Sequence, residues 1–104
     1  MTHGNDAKVL LDLNFPGFQS ELFNLDVSEI RKIFKTFKKL RALTWNDIFR
    51  DKGLHWEEIK SVDGKYSIRL SQSYRAVATR EGASMRFIAL HLDHDGAYGK
   101  QGRG

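Results

Sequence analysis

The chain contains no cysteine. That excludes a disulfide framework, a thiolate metal centre and a thiol nucleophile. It has a single proline, Pro16, which excludes polyproline linkers and leaves helices and strands few interruptions. No apolar run approaches the roughly 20 residues that span a bilayer. The opening residues, MTHGNDAKVLLDLN, lack the basic segment and apolar stretch of a secretory leader. A soluble protein of the cytoplasm is the expectation. No internal repeat or low-complexity linker is present. At 104 residues the chain can bury one modest core. One domain over 1–104 is expected, with flexible ends at 1–7 and 99–104.

What is present in excess is positive charge. Lysine and arginine number 17 against 13 acidic residues, for a net charge of +4. This balance favours a polyanionic partner through counterion release, or an acidic protein through electrostatic steering.

The first half of the chain reads mainly as helices. Residues 8–14 alternate as a short strand. Pro16 can open a helix, and Phe18, Leu22 and Phe23 place one over 17–24. Asp26 is an N-cap, with Glu29 three residues on to complete a capping box. Val27, Ile30, Ile33, Phe34, Phe37 and Leu40 then recur at steps of three and four. The opposite helix face holds Arg31, Lys32, Lys35, Lys38, Lys39 and Arg41. It reads either as a solvated surface favoured by the helix dipole or as a phosphate-facing stripe. Thr44 caps a further helix over 45–51, which Gly53 stops.

From His55 the period becomes two. Residues 55–60 form a strand candidate, and Asp63-Gly64 is a hairpin signal. Strands follow over 66–71, 74–80 and 85–93. Tyr66, Ile68 and Leu70 face one way, and Ser67, Arg69 and Ser71 the other. In the last strand the same rule puts Ile88, Leu90 and Leu92 on one face, and Phe87, Ala89 and His91 on the other. Helices early and strands late predict an α+β domain. Its N-terminal helices pack on one face of a twisted, mainly antiparallel sheet of four to five strands. The first strand joins at an edge or beside the last, and the second sheet face stays open.

No phosphate-binding glycine loop, nucleophile elbow or His-Glu-x-x-His motif is present. His91 and His94 stand three apart on a strand and so point to opposite faces, which argues against a shared metal. No metal or cofactor is expected. What remains suits RNA phosphodiester cleavage. That reaction needs a base for the 2′-OH proton, cations for the crowded phosphorane and an acid for the 5′ oxygen. Glu57 and Glu58 are candidate bases. Lys60, Lys65, Arg69 and Arg75 are candidate cations, arginine being suited to bidentate phosphate contacts. His94 and Tyr98 are candidate acids. Each residue also has a purely structural reading: Arg69 as a cross-strand partner, Glu57 as a solvated strand residue, Tyr98 as a packing aromatic.

The runs Glu57-Glu58-Ile59-Lys60, Tyr66-Ser67-Ile68-Arg69-Leu70 and Tyr74-Arg75-Ala76-Val77, with a last strand ending at His94, resemble the RelE/ParE superfamily of type II toxin–antitoxin toxins. The resemblance covers about residues 54–98 and is nearest the YoeB/Txe and HigB-like mRNA interferases. It implies helices on a twisted antiparallel sheet, in agreement with the reading above. It also implies a metal-independent, ribosome-dependent endoribonuclease that inhibits translation, with a cognate antitoxin, mRNA and the ribosome as partners and a monomeric free toxin. By position it makes Glu57 the base, Arg69 and Arg75 the phosphate-binding pair, and His94, with Tyr98, the acid end. Lys60, Lys65, Arg31, Lys35 and Lys38 then become RNA-binding candidates. The spacing His94-Asp95-x-Ala97-Tyr98 departs from an adjacent His-Tyr pair. It looks instead like a RelE/ParE branch also found attached to helicases. The helix over 45–51 is additional to the minimal fold. The same resemblance leaves open a ParE-like inhibitor of DNA gyrase and a non-catalytic interaction module.

Overall fold

The change of period near residue 55 divides the structure into a helical and a stranded half. The computed structural model describes residues 4–93. After a 3-10 turn at Gly4–Asp6 come β1 (Leu10–Asp12), α1 (Pro16–Phe23), α2 (Val27–Arg41) and α3 (Trp45–Arg50). Four strands follow: β2 (Glu57–Glu58), β3 (Tyr66–Arg69), β4 (Tyr74–Glu81) and β5 (Ser84–Leu92). They form one sheet in the order β1-β5-β4-β3-β2. β1 runs parallel to β5 at one edge, and all other neighbours are antiparallel. The molecule is an α+β domain. Among the described residues no helix is long and apolar enough to cross a membrane.

Local chemistry sets the helix starts. Pro16 occupies the first turn of α1. Asp26 caps α2 by accepting from the Glu29 N–H at 2.9 Å. Glu29 does not complete the expected capping box. Its carboxylate instead accepts from the Ser71 hydroxyl at 2.8 Å, which ties α2 to the loop after β3. At α3 the box is complete, with Thr44 and Asp47 satisfying each other's backbone N–H.

The helices cover one sheet face. Phe18, Ile33, Phe37, Leu40, Trp45 and Ile48 pack against Ile68, Ala76, Ala78, Met85 and Phe87, all buried. The Phe87 ring lies 5.3 Å from both Phe18 and Phe37. Phe23 and Val27, read from spacing as core residues, are exposed at the α1–α2 junction.

Phe87 is also the main correction to the strand reading. A strict alternation placed it with His91. In the sheet, Val77 pairs with Ala89 while Ala78 pairs with Phe87, so Ile88 is an extra residue in a β-bulge. The bulge turns Met85 and Phe87 inward together with Leu90, and leaves Ala89 and His91 outward. Beyond Arg86, β1 no longer accompanies β5. There the Leu90 N–H donates to the Glu21 carboxylate of α1 at 2.8 Å.

β2 is shorter than the six residues expected: His55 adopts φ 51° at one end, and Lys60 already belongs to the turn at the other. Trp56 still faces the core side and stacks on Tyr66, with ring centres 4.7 Å apart. The 3-10 turn is contacted from β4. The Arg80 guanidinium donates to Gly4 O and Asn5 Oδ1 while lying 4.1 Å over the Trp45 ring.

Candidate functional site

The open face derives its pattern from sheet register. Arg69 pairs with Arg75, and Arg75 with His91, giving one row across β3, β4 and β5. The adjacent row runs Glu57, Ser67, Val77, Ala89. Between β2 and these rows lies a groove of about 690 Å³, lined by Glu57, Glu58, Lys60, Ser67, Arg75 and His91 among others.

Arg75 is the fixed point of the groove. Its Nε–H donates to Ser67 Oγ at 2.8 Å, and its Nη2–H donates to the His55 carbonyl at 3.2 Å. Its Nη1 is buried and has no hydrogen-bond partner among the described residues. None of their ion pairs includes Arg75. Among the described residues the guanidinium is thus positioned by neutral acceptors and joins no ion pair. Unmet buried donors are costly and uncommon in proteins, and the guanidinium that carries this one lines the groove, where an anionic oxygen can meet its exposed side.

Glu57 is held as well. His55 Nε2 lies 2.7 Å from Glu57 Oε1. His55 therefore touches the candidate base through its ring and the candidate cation through its carbonyl. Its left-handed backbone costs on the order of 1 kcal/mol, and residues in that conformation often serve a site.

The predicted residues divide into four groups. Glu57, Glu58, Lys60 and Arg75 meet in the groove. Arg69 is adjacent in the sheet but does not line it. Its Nε and Nη2 bind Asp93 Oδ2 at 3.0 and 2.9 Å, so its charge is matched by a buried carboxylate. Lys65 stands at the end of the β2–β3 turn, outside the groove. Arg31, Lys35 and Lys38 are exposed on α2, across the sheet from the groove, so they form a separate basic surface. His94 and Tyr98 lie outside the described residues.

Two polar groove residues, Ser67 and His91, carried no site role in the sequence reading, and neither did His55, which borders the groove through its contacts to Glu57 and Arg75. Strand alternation did place Ser67 beside Arg69 on the outward face, and His91 opposite the apolar set. That facing was the available signal. His55 had none, since its position depends on a backbone turn with no periodic mark.

The groove assembles two carboxylates, an imidazole, an ammonium and a guanidinium on one sheet, with the His55 imidazole bound to Glu57 at its border. That set can hold an anion and move protons around it. No protein-family model, no curated protein and no solved structure matches the chain.

Proposed function

We propose that the chain is a metal-independent endoribonuclease of the RelE/ParE toxin kind, acting in the cytoplasm on ribosome-bound mRNA and restrained by a cognate antitoxin. The observation that carries this reading is Arg75: a guanidinium held by Ser67 and the His55 carbonyl, in no ion pair among the described residues, in a groove shared with Glu57 and His91. The scissile phosphate sits in the groove against the exposed side of the Arg75 guanidinium. Glu57 removes the proton of the 2′-OH, and the 2′ oxygen attacks phosphorus. Arg75, aided by Lys60, stabilises the added negative charge of the phosphorane. The bond to the 5′ oxygen breaks as an acid protonates it, leaving a 2′,3′-cyclic phosphate and a free 5′-OH. His91 lies on the required face, and His94 and Tyr98 are the further acids named by the family resemblance.

The test is a translating extract programmed with a defined mRNA, with cleavage mapped by primer extension. The chain should cut within the reading frame only while ribosomes occupy it, and Arg75→Ala should reduce cutting by about 10²–10³-fold without loss of folded signal. Intact mRNA together with failing DNA supercoiling would overturn the nuclease reading in favour of a ParE-like gyrase inhibitor. Absence of both effects would leave the interaction module.

A further inference from the structure

A second cavity, of about 310 Å³, lies on the other side of His55, lined by Phe49, Asp51, Lys52, His55 and Trp56. We infer that it is a nucleobase subsite, which receives the base of the nucleotide whose phosphate binds Arg75; this rests on the ribonuclease reading above.

Its walls are aromatic, and the core contacts of Phe49 and Trp56 leave part of each ring to the cavity. Phe49 is 48% exposed, although its helix neighbours Trp45 and Ile48 are fully buried. Trp56 gives one ring face to Tyr66 and an edge contact to Trp45, and the rest of the residue lines the cavity. Flat, exposed aromatic surface beside a cationic groove is the usual platform for unpaired bases. The polar lining fits as well. Asp51 is already bound to Lys39 at 2.8 Å and to the Leu54 N–H at 3.0 Å, so its charge is spent. Lys52 is exposed and appears in no ion pair among the described residues, leaving it available to a neighbouring phosphate.

The link between the cavities is one residue. The His55 ring borders the aromatic cavity and binds Glu57, while its carbonyl holds Arg75. A single nucleotide spans that partition, phosphate on one side and base on the other. The left-handed backbone at His55 keeps the partition in place. Stacking on Phe49 and Trp56 recognises any base by its ring face. It selects single-stranded RNA, because a paired base cannot enter.

The probe is a 2′-O-methyl pentanucleotide, which binds but cannot be cut. Binding is read from tryptophan fluorescence; Trp56 lines the cavity and Trp45 does not, so of the two tryptophans a bound base stacks on Trp56 alone. An abasic pentamer of the same length serves as control. Quenching is expected with the full oligonucleotide. Phe49→Ala should weaken it by about 10-fold, within the range for loss of one base–aromatic stack. Phe49→Leu keeps an apolar contact with Trp45, so it preserves the fold, and it should weaken binding similarly. The abasic pentamer should bind wild type and both variants alike. Equal binding of the full and abasic probes, or no effect of either substitution, would overturn the subsite. Phe49-dependent binding without mRNA cutting in the extract would keep the subsite and sink the nuclease reading. Arg75-dependent cutting with binding indifferent to Phe49 would do the reverse.

Discussion

On the helix-covered face of the sheet, Ile68, Ala76, Ala78 and Phe87 are fully buried and no polar side chain interrupts them. One residue along each strand, the other face presents Ser67, Arg75, Val77 and His91 to an open groove. The first face has every requirement of its side chains met. The second leaves a buried guanidinium nitrogen without an acceptor among the described residues. Neighbouring residues on one backbone thus answer to different demands: packing on one side, readiness for something absent on the other.

The comparison breaks or sharpens under substitution. The largest effect is expected from Phe87→Ala, which removes the ring between Phe18 and Phe37 and should cost about 3–5 kcal/mol in urea unfolding. Cutting per folded molecule should not change. Arg75→Met comes next. It should lower cutting by about 10²–10³-fold while leaving the urea midpoint unchanged or raised, because it removes an unmet buried donor. A large loss of stability would make Arg75 a structural residue and erase the contrast between the faces. For His55, Gly should be more stable than Ala by about 1 kcal/mol, since glycine relieves the φ of 51°. Equal stabilities in thermal melts would show that the backbone there carries no strain.

The smallest expected effect is acid sensitivity, and it should be seated away from the groove. The Glu29 N–H holds the Asp26 carboxyl below its ordinary value of 3.8, the Thr44 N–H does so for Asp47, the Asn14 N–H for Asp12, and the Lys39 side chain for Asp51. A carboxyl with a lower pKa in the folded state binds its proton more weakly there than when unfolded. Its contribution is therefore complete above pH 3.8 and is lost as pH falls through the folded values. Urea midpoints between pH 5 and pH 2 should fall in that window, and Asp26→Asn should shallow the fall.

Much of the architecture was legible because it rests on periodicity. The three- and four-residue steps of Ile33, Phe37 and Leu40 are met by burial, and so is the alternation of Ile68 and Leu70. The Asp26 and Thr44 caps were readable from local chemistry alone. Ile88 was not, because an apolar residue fits either side of a strand and nothing in its neighbours announces a bulge. The candidate site was legible in its charges, not in its contacts. Glu57 and Arg75 were named, but the pairing of Arg69 with Asp93 and the holding of Glu57 by His55 are settled by folded geometry. The basic face of α2 shows the limit of composition: sequence recorded the cations of Arg31, Lys35 and Lys38 without recording which side of the sheet they occupy.

The short length of β1 has one further consequence. A strand of three residues cannot shield the whole outer margin of β5, and an unshielded margin invites another polypeptide to add itself there. Glu21 fills the gap with one carboxylate, taking the Leu90 N–H that a longer strand would have paired. An acidic side chain on a helix therefore serves as a stopper against intermolecular pairing. Glu21→Ala should leave the fold standing but reopen that margin to self-association.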